Sequence, residues 1–110
     1  MTFTTKDLNC AEQLAGFFPK LVAVRIPVKV TALRGGVSPL QEATVVEFGT
    51  GDHAIFLSTL PLEFDERVRL ERDRKGQAAD ATVIALQYHD GRKAVAVRFL
   101  HGPCDWMIQP

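Results

Sequence analysis

The residues with the most chemical potential lie in Glu47-Phe48-Gly49-Thr50-Gly51-Asp52, a polar turn between two apolar runs in the stretch Thr44 to Leu57. Carboxylates and a hydroxyl can accept or share hydrogen bonds there, and glycines let a ligand approach bare backbone. Turns between buried strands are also where a rigid scaffold presents binding groups. Other candidate groups are weaker. Asp52-His53 with His89 or His101 could in principle move protons or hold a metal. No His/Cys spacing fits a zinc site, and no nucleophile stands beside a base. The histidines are therefore expected at the surface, at strand ends. Gly49-x-Gly51 is too short for a phosphate loop, and no helix follows it. Arg67, Arg69, Arg72, Arg74 and Lys75 alternate with Glu66, Glu71 and Asp73, the pattern of a solvated face and turn. Cys104, after Gly102-Pro103, is expected as a buried thiol. No residue is assigned to catalysis or to a metal, and the chain is not expected to be an enzyme.

The elements that must position the turn are strands. From Leu21 the apolar period is two: Val22, Val24, Ile26, Val28 and Val30 on one face, Arg25, Lys29 and Thr31 on the other. Pro27 on the outer face marks an edge or a bulge. Further strands are expected over 43–48, 53–58, 66–71, 78–88 and 93–100. Gly35-Gly36 with Ser38-Pro39, Asp73 to Gln77 and the Asp90-Gly91 pair supply turns between them. Val83 to Leu86 is apolar on both faces, which suits a central strand. Ahead of the strands, Leu8, Ala11, Leu14 and Ala15 recur at helical spacing, with Thr4 and Asp7 as a capping box and Gly16 as a stop. The tail from Pro103 to Ile108 is apolar enough to fold back, with Trp106 over a barrel opening. Phe17 and Phe18 are expected in core or helix-docking roles. Six short strands at regular spacing imply an antiparallel barrel or sandwich. A barrel is favoured because closure removes exposed edges. The expected fold is thus all-β, a six-stranded antiparallel barrel with a short N-terminal helix. It forms one domain over 1–110: a helical segment over 1–20, the barrel over 21–101 and the returning tail over 102–110.

Totals narrow the function classes. In 110 residues, 13 Lys and Arg balance 13 Asp and Glu. Nucleic-acid modules carry a basic excess to neutralise phosphates, so a nucleic-acid polymer is not expected as partner. No apolar run approaches the ~20 residues of a membrane span. The first residues lack the basic start and apolar centre of a secretory leader. With only two cysteines, Cys10 and Cys104, the expectation is a cytoplasmic protein with free thiols.

The order of these elements resembles a particular family. An Arg-x-Pro-Val strand start at Arg25, a Thr-led second strand, a short turn, a third apolar strand and the closing run Val95-Ala96-Val97-Arg98-Phe99-Leu100 are together similar to the PilZ domain. The resemblance spans residues 25 to 100, about two thirds of the chain. It implies a six-stranded barrel that binds the bacterial messenger cyclic di-GMP, or a degenerate form that works through protein contacts. Ligand-binding members carry an Arg-x-x-x-Arg pair near the first strand and an Asp/Asn-x-Ser-x-x-Gly turn after the second. Arginine forks suit phosphate oxygens and the O6/N7 edge of guanine. Carried onto this chain, the second arginine is Arg25, and the first falls at Leu21, which has no donor. Lys20 is adjacent, but it is not a fork. Glu47 takes the acid position, Gly49 replaces the serine, and Asp52 replaces the glycine, adding a negative charge beside a dianion. Loss of one fork costs roughly 1–3 kcal/mol. Together the changes imply binding weaker by on the order of two to four decades. By family position the candidate ligand residues are Arg25, Glu47, Gly49 and Asp52. Cyclic di-GMP is not expected to bind tightly, no cofactor is expected, and the expected partner is an unidentified protein in a bacterial signalling system.

Overall fold

The computed structural model describes residues 5–18, 20–33, 40–72, 76–89 and 91–108. The expected turn at Gly35 to Pro39, the Thr4 cap, Asp73 to Lys75 and Asp90 lie outside these residues. Helix α1 (Thr5–Ala15) leads into strands β1 (Val22–Ala32), β2 (Gln41–Gly49), β3 (His53–Ser58), β4 (Arg67–Arg72), β5 (Gln77–His89) and β6 (Arg92–Phe99), and a short helix α2 (Asp105–Ile108) follows. All pairings are antiparallel, and the order β1-β2-β3-β6-β5-β4 closes on itself as a barrel. The expected fold class is the observed one.

Alternation builds the interior. Ile26, Val28 and Val30 of β1 point in, while Pro27 and Lys29 point out. Val46, Phe56, Val68, Leu70, Val83, Val95 and Val97 complete the barrel core. Pro27 lies beyond the reach of β4, whose pairing with β1 starts at Lys29. β3 and β6 break the alternation, because Ala54 to Ser58 and Ala94 to Val97 are buried on both faces. Their outer face carries α1: Cys10, Ala11 and Leu14 pack on Ile55, Leu57, Ala94 and Ala96. Gly16 ends that helix by donating to the carbonyls of Glu12 and Gln13.

Two expectations change, at Phe17 and at Val22. Phe17 is 77% exposed rather than docked, and only Phe18 packs on the helix–sheet cluster. Val22 is exposed rather than inward. The β1–β2 register slips between Ala23 and Ile26, yet Val24 still packs against the barrel core, so the exposure is confined to the first residues of the strand. The tail folds back as expected, and it does so as a helical turn. Trp106 and Met107 enter the barrel core with Cys104. Both cysteines are buried free thiols. No helix among the described residues is long and apolar enough to cross a membrane.

Candidate functional site

Arg25 occupies the β1 bulge with φ of 60°. That left-handed backbone costs a non-glycine residue about 1–2 kcal/mol. Such strain recurs where a side chain is re-aimed at a functional site. Arg25 is exposed, and its opposite number is Glu47. There β2 slips against β3 as well: Val46 pairs with Phe56, but Phe48 pairs with Ile55. The two register slips thus meet around Glu47. A hollow of about 140 Å³ lies between them, lined by Glu12 of α1, Ala23, Arg25, Glu47 and Phe48.

Glu47 is only 8% exposed. Burial pushes its carboxyl above the ordinary value, and the nearby Arg25 charge pulls it partly back. One guanidinium therefore faces two acids, Glu47 and Glu12, in a hollow smaller than the ~300 Å³ at which small-molecule pockets begin. Leu21, where a second arginine fork would stand, packs instead into the helix–sheet cluster. Lys20 is exposed with φ of 76°. Lys29 reaches Glu71 at 3.9 Å.

The turn after β2 is held by the protein itself. Thr50 Oγ1 accepts from the N–H groups of Asp52 and His53, both at 3.1 Å. The Asp52 carbonyl accepts from Phe99 at 2.9 Å, and the Gly51 carbonyl accepts from Cys104 at 2.7 Å. Gly49 is buried, and a Cβ there would stand 2.7 Å from Met107 Cγ and Sδ. Its missing side chain makes room for the tail. Asp52 is exposed. The structure thus brings Arg25 and Glu47 together, puts Gly49 beneath α2 and leaves Asp52 at the turn surface. Of the histidines, His53 stacks at a tilt on Phe18, 5.4 Å between centroids, and His101 lies at the surface, 4.0 Å from Asp80.

Two polar groupings were not anticipated. Lys93, read only as the start of a strand, is 7% exposed, and its Nζ donates to the Leu60 carbonyl. Burial lowers its pKa, while Glu42 and Glu66 oppose the shift. Glu42 in turn accepts from Ser58 Oγ at 2.7 Å and from the Thr59 N–H at 3.1 Å, fastening the β3–β4 connection. The second grouping is an ion pair between Arg69 Nε and Asp80 at 2.8 Å. It borders a cleft of about 510 Å³ between the start of β5 and the tail. Alternating charge flagged Arg69 as surface. The cleft depends on where β6 stops, which no local pattern encodes.

No protein-family model matches the chain, and no curated protein matches it.

Proposed function

We propose that this barrel is a non-catalytic regulatory module of PilZ type, acting in the cytoplasm of a bacterium through contact with a protein, with its cyclic di-GMP position degraded. The observation that carries this reading is the Arg25 hollow. Its lone fork is opposed by Glu47 and Glu12, and the position of the second fork is the packed Leu21. A dianionic ligand would meet two carboxylates for one guanidinium, and repulsion offsets the attraction. The glycine and backbone donors of the following turn are already used by Met107 and Thr50. The six-stranded closed barrel supports the resemblance at the level of architecture.

A second reading has one observation in its favour. Arg25 is exposed on a strained bulge, available to an anion from outside. On that reading cyclic di-GMP binds weakly around Arg25, Glu47, Gly49 and Asp52. A thermal-shift titration with cyclic di-GMP separates the two, because a ligand specific to the folded state must raise the midpoint. No rise at millimolar ligand is the expected result. A rise that disappears in Arg25→Ala would favour the second reading.

A further inference from the structure

β6 stops before β5 does. Their ladder ends at Ala81↔Phe99, and one further bond runs from the Leu100 N–H to the Asp80 carbonyl at 3.0 Å. His101 follows, with Nε2 4.0 Å from the Asp80 carboxylate. Gly102, with φ of 89°, then turns the chain off the line of β6, and Cys104 bonds to Gly51 on another loop. β5 itself begins earlier, at Gln77, and ladders with β4 without a break. The Asp80 carbonyl faces the β6 side. In an antiparallel strand alternate residues share a side, so the Ala78 N–H and C=O face that side too. Among the described residues no main-chain group pairs with them there. One residue is too short for another strand to join, but it presents a donor and an acceptor side by side.

These two groups border the cleft of about 510 Å³ between the start of β5 and the tail. That volume lies in the range of small-molecule pockets, which the 140 Å³ Arg25 hollow does not reach. Gln77 lines the same cleft, and its Oε1 is buried with no donor reaching it among the described residues. Such an acceptor carries a desolvation cost that a ligand N–H would relieve. Phe99 and Trp106 supply an apolar wall, and the small side chains of Ala78 and Ala79 leave the approach open. The charges at the rim select against an anion. Arg69 is already paired with Asp80 at 2.8 Å, and Asp105 adds a second carboxylate. The Arg69 hydrogen bond holds the Asp80 pKa below its ordinary value, so that carboxylate stays charged. A phosphate or carboxylate would meet one engaged guanidinium and two negative groups, whereas an uncharged ligand meets no such repulsion.

We propose that this cleft binds a small uncharged heterocyclic amide: its ring lies against Phe99 and Trp106, its carbonyl accepts from the Ala78 N–H, its ring N–H donates to the Ala78 carbonyl, and an adjoining amino group donates to Gln77 Oε1. The site goes beyond the protein-contact reading, because it gives the barrel a ligand input separate from the Arg25 hollow and from any partner.

The test is an NMR titration of the full chain with aminoquinazolinone, a benzo-fused lactam bearing an amino group, beside its lactam N-methyl analogue. Saturable shifts are expected at the Ala78 amide, the Gln77 side-chain amide and the Trp106 indole, with a dissociation constant on the order of millimolar or tighter for a ligand of this size. The methyl group takes away the donor to the Ala78 carbonyl, and roughly tenfold weaker binding or worse is expected. Gln77→Leu keeps the bulk and removes the acceptor, with a loss of the same order. Should that variant fail to fold, the N-methyl comparison on the native chain decides. Equal binding of the two compounds, absence of saturation, or shifts confined to the Arg25 hollow would overturn the proposal. So would a dimer in sedimentation whose interface covers Ala78. The cyclic di-GMP titration fails or succeeds separately, since it reads Arg25 on β1.

Discussion

At the scale of single residues, two positions that looked like ligand groups act on stability. Burial raises the Glu47 pKa above its unfolded value near 4.5. The folded protein therefore holds that proton more tightly than the unfolded chain, and unfolding releases it as pH rises past 4.5. Stability contributed by the protonated form is complete below that value and is lost above it. Glu47→Gln, which keeps the shape and removes the charge, is expected to raise the melting midpoint at pH 7. The gain should vanish below pH 4, and a midpoint-against-pH series for both proteins checks it. An equal gain at both pH values would show that desolvation is not the cause. Gly49 carries a different burden. Gly49→Ala pushes a methyl into fully buried Met107, and overpacking of this kind costs about 1–3 kcal/mol. Shortening the opposing side chain relieves the clash. The double variant Gly49→Ala/Met107→Ala should thus be more stable than the sum of the two losses predicts, by denaturant titration. Additivity would mean that the two groups do not meet.

At the scale of elements, alternation made β1 to β6 legible, because each strand has one face toward a packed interior. Leu21 to Thr31 shows where that logic ends. The apolar alternation holds across the bulge at Arg25 to Val24, which packs against the core, yet Val22 at the start of the strand is exposed. Nothing local announces that bulge except Pro27 two residues later. Val83 to Leu86 of β5 was the run expected to be apolar on both faces, whereas the doubly buried runs are in β3 and β6, and their cover was not legible. α1 supplies it, and its contact residue Cys10 lies outside the expected stripe of Leu8, Ala11, Leu14 and Ala15. The Arg25–Glu47 meeting was half legible: the resemblance assigned the two residues, from two separate motifs, to one ligand position, while the approach of Glu12 depends on tertiary packing of the helix. That packing predicts a measurable cost. Leu14 is buried between α1 and the barrel wall, and Leu14→Ala should lose about 2–4 kcal/mol. In a domain of this size that lowers the midpoint by on the order of 10 °C. A loss under one degree would show that α1 adds nothing to the barrel.

At the scale of the whole molecule, the chain's two ends finish the barrel from different sides: α1 covers its outer wall, and α2 fills its mouth. The mouth contains a probe of its own closure. Burial pushes the Cys104 thiol up from 9.0 to about 11, against opposing bonds from the Met107 and Trp106 backbones. The thiol keeps its proton in the folded state and releases it on unfolding, so between pH 9 and 11 stability falls as pH rises. Below pH 9 the contribution is complete. Two pH units correspond to about 2–3 kcal/mol, a large part of a typical total of 5–15 kcal/mol. Lys93 acts in the opposite sense, since its lowered pKa makes the folded state bind fewer protons just below 10.5. The wild-type slope is therefore a difference between the two groups, and a variant must isolate the thiol. Cys104→Ala removes it and leaves Lys93 in place. Urea unfolding at pH 8 and pH 10.5 should show wild type losing its advantage over Cys104→Ala as pH rises. Trp106, the only tryptophan, reports in the same experiment whether the mouth opens early. Its emission should shift to the red together with backbone circular dichroism if α2 and the barrel unfold as one unit. If the tail instead leaves first, tryptophan emission will move at lower urea than the dichroism signal, and the Cys104 contribution will belong to that earlier step. A stability gap between the two proteins that does not change with pH would show that the thiol is solvated and the mouth is open.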